Sequence, residues 1–445
     1  MCATLSACAT YAPTPLPGRP DLADDLDRLT VTPAEMPLPE LGTHRFDPSR
    51  PLDMDEVAMV AVVNNPDLKA RRDRIGVAGA QAFAAGLLPN PMLTLDRGFL
   101  FAGPGTMDAL TLGLAQDIVP LLTLATRKTG AAAAAQSASL DLLWQEWQVV
   151  SQARLLFVRA VELDKQRAVL ETNRALFADR YEHSSKAMAR GNETLPTVVS
   201  DLTALKAVET QIYDLDQQIL RNRHDLNALL GLSPDLDLRL AGEAGVPAID
   251  AARLRSILPD LASRRPDLLA LRAGYDAQEA KVRQAIIEQF PTLTIGSNRA
   301  RDTSGVYTQS LSINVGLPIF NQNQGNIAIE RATRQQLRNE YQAQLDAAYT
   351  AVGRLITEQQ QLEEQYRSSL ASVEQLRSAA DTAERVYRAG NLDERSYVDL
   401  RAALLAKQNE TIKLEQTILE QRVTLQTLIG SNLPTLTAPT PGAGR

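Results

Sequence analysis

Apolar and polar residues alternate in four short runs along the chain, and the runs come in two pairs. NPMLTLD (90–96) sets Leu93 and Leu95 against Thr94 and Asp96, and LTLGLAQD (110–117) puts Leu110, Leu112 and Leu114 on one face. FPTLTIG (290–296) repeats the pattern with Leu293 and Ile295, and SLSINVGLP (310–318) with Leu311, Ile313, Val315 and Leu317. Period two is the signature of a strand. Glycine-bearing loops, FAGPGTMDA and RDTSGVY, lie between the members of each pair, so each pair reads as a hairpin. The expected strands cover about 90–100, 109–119, 290–300 and 308–318.

Around the hairpins the pattern turns helical. NNPDLKA (64–70) returns as RRPDLLA (264–270), 200 residues later. A helix begins near Pro66 and Pro266, because proline in a first turn loses no needed N–H. Asn65 is a suitable cap and Arg265 a poor one. Each such helix runs about 23 residues, to Pro89 and to Phe290. After each hairpin proline disappears: none occurs between Pro120 and Pro196, or between Pro318 and Pro434. Leu121–Arg190 and Ile319–Ala389 therefore read as helices of 70 and 71 residues, each about 100 Å long. Gly191 and Gly390 end them, and return helices run on to Gly231 and Gly430. Leu404, Lys407, Thr411, Leu414, Ile418, Gln421, Leu425 and Leu428 fall at steps of three and four, as do Val373, Leu376, Ala380, Ala383 and Tyr387. That spacing implies left-handed coiling.

The chain is thus a duplicated helix–hairpin–long helix–helix unit. The domains are a start and extended arm (1–51), a first repeat (52–231), a linker or equatorial region (232–260), a second repeat (261–431) and a flexible tail (432–445). Four strands with one apolar face invite closure with other copies, since a lipid-exposed sheet leaves no open edge. Two copies would reach eight strands and three would reach twelve, and strand pattern alone does not choose. A soluble alternative has the hairpins capping a coiled-coil stalk.

Composition narrows the function. Net charge is -7 with no basic block, which argues against nucleic acid. No run of 18 apolar residues occurs, so no membrane-spanning helix is expected. The two cysteines, Cys2 and Cys8, are both near the start, and Leu5-Ser6-Ala7-Cys8 has the pattern of a bacterial lipobox. Cys8 is a lipidation candidate; the other reading is a disordered tail. His44, His183 and His224 are isolated, with no HExxH and no phosphate-binding GxGxxG. No catalytic, cofactor-binding or metal-ligating residue is therefore assigned, and no cofactor is expected. Trp144 and Trp147 lie well along the first long helix and are expected to pack against a neighbouring helix or collar.

NNPDLKA, SRRPDLLA, EQFPTLTIG, VGLPIFNQNQGNIA and YRAGNLDERSYVDL, in this order and spacing, resemble the TolC-like outer membrane efflux protein family over residues 52–433. GLPIFNQNQG (316–325) looks most like the heavy-metal branch paired with resistance-nodulation-division pumps. The resemblance implies a mostly α fold with a transmembrane β-barrel contribution: a homotrimer whose twelve strands form one barrel in outer membrane lipid above a long helical tunnel. It implies a periplasmic adaptor and an inner membrane pump as partners. The chain would be the exit duct for heavy-metal cations, or alternatively for drugs or type I secretion; outside the family, a coiled-coil adaptor. Matching motifs carry the periplasmic gate to Tyr387, Arg395 and Asp399, and the adaptor-contact tips to Gly191, Asn192, Gly390 and Asn391.

Overall fold

The computed structural model describes residues 11–33, 36–248 and 250–430. The Cys8 lipidation candidate and the 432–445 tail lie outside the described residues. A short helix α1 (Pro39–Gly42) precedes α2 (Met54–Asn64) and α3 (Pro66–Ala85), then strands β1 (Met92–Gly98) and β2 (Ala109–Asp117). Next come α4 (Val119–Leu122), the long α5 (Leu124–Ala189) and its return helix α6 (Leu195–Leu229). After a linker the order recurs: α7 (Ala251–Ile257), α8 (Leu261–Arg264), α9 (Pro266–Ile287), β3 (Thr292–Arg301), β4 (Tyr307–Gly316), α10 (Gln324–Arg388) and α11 (Glu394–Leu428).

The repeated proline motif joins helix ends. Asn65 caps α3 by accepting from the Leu68 amide at 2.9 Å, and its own amide donates to the Leu229 carbonyl at the end of α6, 2.8 Å away. Asn64 donates to the Leu230 and Gly231 carbonyls at 2.8 and 3.0 Å. These are carbonyls a helix end leaves without intrahelical partners. In the second repeat Arg265 makes no cap. Its guanidinium instead grips Asp267 through two bonds of 3.0 and 2.7 Å and reaches toward the Leu428 carbonyl at 3.5 Å. The same junction is built twice, once with amides and once with a charge pair. Gly231, at φ 64°, sits so close that a Cβ there would meet the Asn64 carbonyl oxygen at 2.6 Å.

The main core lies where these junctions meet. Trp147, Phe157, Met59, Leu41 and Leu52 are all buried there. The proline-rich arm joins this collar rather than trailing: the Leu52 amide bonds the Arg239 carbonyl at 2.8 Å, and Ala23 bridges Leu232. Trp147 donates its indole N–H to the Thr427 carbonyl at 3.1 Å, and Arg265 lies over the Trp144 ring at 4.8 Å. The tryptophans therefore pin the two repeats together.

The strands form one antiparallel sheet in the order β1-β2-β3-β4. Leu93 pairs with Leu114, Leu95 with Leu112, and Ile295 with Ile313, so one face is apolar. Thr94, Gly113, Asn298 and Ser310 occupy the other. This corrects the expected barrel. Among the described residues of the single chain the sheet is open, with β1 and β4 as its edges, and these four strands form neither a closed barrel nor a transmembrane strand set. The reason is reach: strands spaced about 4.8 Å apart span too little width to curl shut, and closed membrane barrels begin at about 8 strands. Among the described residues no helix is long and apolar enough to cross a membrane.

Candidate functional site at the helical tip

Each long helix turns back at a glycine. The Gly191 amide bonds the Met188 carbonyl and the Asn192 amide the Ala187 carbonyl, both at 2.9 Å. Gly390 and Asn391 make the equivalent bonds to Tyr387 and Val386 at 2.8 and 3.0 Å. Both glycines hold positive φ, 76° and 77°, a conformation that side chains disfavour. Gly191, Asn192, Gly390 and Asn391 are all exposed at these turns.

Within each helical hairpin apolar clusters pack beside polar pairs such as Arg167–Asp216 and Ser369–Thr411. Leu163 and Leu170 of α5 meet Val208, Ile212 and Leu215 of α6. Val373 and Ala380 of α10 meet Leu404 of α11. Between the hairpins, α5 faces α11. Near the collar that contact is apolar, through Val158, Leu419 and Val423. Toward the tip it becomes polar: Arg159 lies 3.3 Å from Glu420, Gln166 donates to Gln416 at 3.1 Å, and Arg180 reaches Asp399 at 2.7 Å.

The seam ends in a four-membered charge chain. Asp201 of α6 has a side chain only 1% exposed, and one of its oxygens receives Arg395 of α11 at 2.9 Å. Arg180 of α5 places its Nε 3.1 Å from the same oxygen and its Nη1 2.7 Å from Asp399. The Arg180 Nε and the second Asp201 oxygen make no hydrogen bond, so the Arg180–Asp201 contact is an ion pair without bond alignment. The Arg180 guanidinium also lies 4.8 Å over the Phe177 ring. Beside this chain His183 Nδ1 contacts Glu394 at 2.6 Å. Tyr387 stacks on Tyr397 with centroids 4.9 Å apart and planes 3° from parallel. Burial, with Glu394 nearby, raises the Tyr387 phenol above its usual range. At the start of α11, the Ser396 hydroxyl and amide hold the Asp393 carboxyl below its usual value.

Of the residues singled out by sequence, Arg395 and Asp399 are brought into one chain of contacts, while Tyr387 packs on a tyrosine alongside. Arg180, Asp201, His183, Glu394 and Tyr397 were missed. Asp201 had a signal: the Asp-Leu pair after the first tip, in VVSDL, matches the Asp-Leu of YVDL after the second. Arg180 had none, because it is one charge among many on a long solvated helix.

His44, Asp53 and Glu56 also cluster, with ligand atoms within 4.8 Å of one another. Their oxygens already serve α2. Asp53 accepts from the Asp55 and Glu56 amides, while Glu56 accepts from the Asp53 and Asp47 amides and from Arg50. This is a capping box.

Residues 257–431 match the family described as Outer membrane efflux protein. The Pyoverdine export outer membrane protein OpmQ of Pseudomonas aeruginosa is 26% identical over 410 residues, covering 85% of each chain. Its Pseudomonas putida counterpart is 24% identical over 404 residues, covering 85% of this chain and 86% of its own. Among solved structures, the outer-membrane channel OprN aligns with TM-score 0.70 at 16% identity, over 96% of this chain and 100% of its own. CusC aligns at 0.69 and 17%, over 87% and 95%. VceC of Vibrio cholerae aligns at 0.69 and 17%, over 85% and 96%.

Residues 257–431 are similar to the outer membrane efflux protein family, and the fold of nearly the whole chain is that of the outer-membrane channels. The matches span several efflux systems and do not single out a heavy-metal branch.

Proposed function

We propose that this chain is an outer membrane efflux duct that extends into the periplasm and works with an adaptor and an inner membrane pump; that it assembles as a homotrimer, is held shut at its periplasmic tip by the Arg395–Asp201–Arg180–Asp399 chain, and releases small organic molecules rather than metal cations. The observation behind the gate is the change of chemistry along the contact between hairpins: apolar packing near the collar, and charge pairs at the tip. An apolar seam does not come apart readily in water, whereas a charge pair with an exposed member exchanges that partner for water at little cost. Asp399, with a side chain 63% exposed, is the member most open to competition. Gly191, Asn192, Gly390 and Asn391 then form the exposed turns offered to the adaptor.

The reading of the cargo leans on the two relatives named for pyoverdine export, each matched over 85% of this chain. It favours an organic solute, as in multidrug efflux, and replaces the heavy-metal expectation. Susceptibility of a deletion strain tests it. Loss of the gene should sensitise cells to organic dyes and drugs while divalent-metal tolerance stays as in the parent. Sensitisation to metals alone would reject the organic cargo.

A further inference from the structure

We propose that Glu162, Lys165 and Glu415 form a proton-operated latch that draws α11 against α5 in the body of the helical hairpins. The latch is separate from the tip: Glu162 lies 27 residues before Ala189 at the end of α5, about 40 Å away at helix rise. It rests on the packing of the helices and needs no assumption about cargo.

Glu162 is fully buried in the polar seam. One of its oxygens accepts from the Lys165 ammonium at 2.7 Å, within the same helix. The other is buried and has no hydrogen-bond partner. A carboxylate left half-satisfied away from water is costly. Across the seam, the same Lys165 ammonium stands 3.9 Å from Glu415 of α11, short of a hydrogen bond. From α10 the facing group is the Tyr366 phenol, with the Arg422–Glu363 pair beyond it. Asp164, next along α5, is exposed and interacts with Arg167.

The cluster therefore carries two carboxylates and one ammonium, and the ammonium is spent inside α5. Burial pushes the Glu162 carboxyl up, Lys165 pulls it partly back, and Glu415 adds to the push. When Glu162 takes a proton, its orphaned oxygen gains a hydrogen and its charge no longer repels Glu415. Lys165, released from its strongest partner, has one carboxylate left to approach, and that carboxylate is on α11. The 3.9 Å separation can close to a direct bond between the hairpins. Because the folded-state value is raised, this contribution is fully present below the ordinary glutamate value and is lost as pH rises through the raised one. Acid tightens the seam and alkali loosens it.

The test uses the full chain in detergent, with nitroxide labels at the exposed positions Ala168 of α5 and Lys413 of α11. Samples are diluted with unlabelled chain so that only pairs within one chain are read. Pulsed dipolar spectra are compared from about pH 5 to about pH 8, a span that covers a carboxylate raised by burial. The wild-type distance distribution should be short and narrow in acid and longer and broader in alkali. Glu162→Gln should hold the acid distribution throughout, and Glu415→Gln should hold the broad one. A wild-type distribution that ignores pH overturns the latch, as does a Glu162→Gln chain that still shifts. Glu415 is only partly buried, so its variant tests the latch even where Glu162→Gln fails to fold; a wild-type shift in Glu415→Gln overturns it equally.

Discussion

Arg180 reaches Asp399 at 2.7 Å, and by that contact a residue near the end of one helical hairpin holds a residue near the start of the other hairpin's return helix. Arg180 is almost wholly buried and Asp399 is mostly exposed. The pair is anchored on one side and open to solvent on the other. Behind it stands Asp201, buried and shared with Arg395. The tip thus has a fixed inner carboxylate and a labile outer one, and the two should respond differently to substitution.

Asp201→Ala leaves Arg180 without its buried partner and should destabilise the tip by about 3 kcal/mol, the cost of breaking one side of a buried pair. Asp399→Ala removes an exposed partner and should cost under about 1 kcal/mol. Amide exchange in the first turns of α6 and α11 reads both. Equal protection loss in the two variants would show that burial does not rank them.

The Tyr387–Tyr397 stack ties α10 to α11 just above the turn. Tyr387→Ala should loosen that turn by about 0.5–1.5 kcal/mol beyond the loss of area, while Tyr387→Phe should be close to neutral because the phenol is not needed for stacking. Exchange at Gly390 and Asn391 distinguishes the two variants.

Asp393 caps α11, and its bonds from Ser396 depress its carboxyl below the ordinary value of 3.8. The cap therefore contributes stability above that value, and the contribution is lost as pH falls through the depressed one. Exchange in the first turn of α11, corrected for the intrinsic rate, should rise over that acid window. Asp393→Asn keeps a capping oxygen without a titratable charge, so its profile should be flat there.

Phe157 is wholly buried in the collar. Phe157→Ala should cost about 3–5 kcal/mol, the usual range for truncating a core aromatic, and should lower the melting temperature of the whole chain rather than loosen the tip. Thermal unfolding in detergent measures it.

The helices and hairpins were legible because their causes are local. Period-two alternation in MLTLD and SLSINVG, the long proline-free stretches, and glycines that must take positive φ all speak within a few residues of sequence. What the sheet does at its edges was not legible. Leu93 and Ile313 say which face is apolar, but edge pairing depends on what lies beyond the first and last strand. The repeated proline motif was visible as a helix start. Its second task, receiving the far end of a return helix through Asn65 or Arg265, joins residues about 164 apart and left no local mark. At the tip, Arg395 and Asp399 stood near a recognisable glycine turn, whereas Arg180 gains its meaning only from partners on other helices.

Ion conductance of the full chain reconstituted in a planar bilayer tests the proposed gate most directly. Wild type should pass a small steady current, and Asp201→Ala combined with Asp399→Ala should raise it severalfold by removing both carboxylates that hold Arg180. A double variant that inserts normally and passes the same current as wild type would contradict the account.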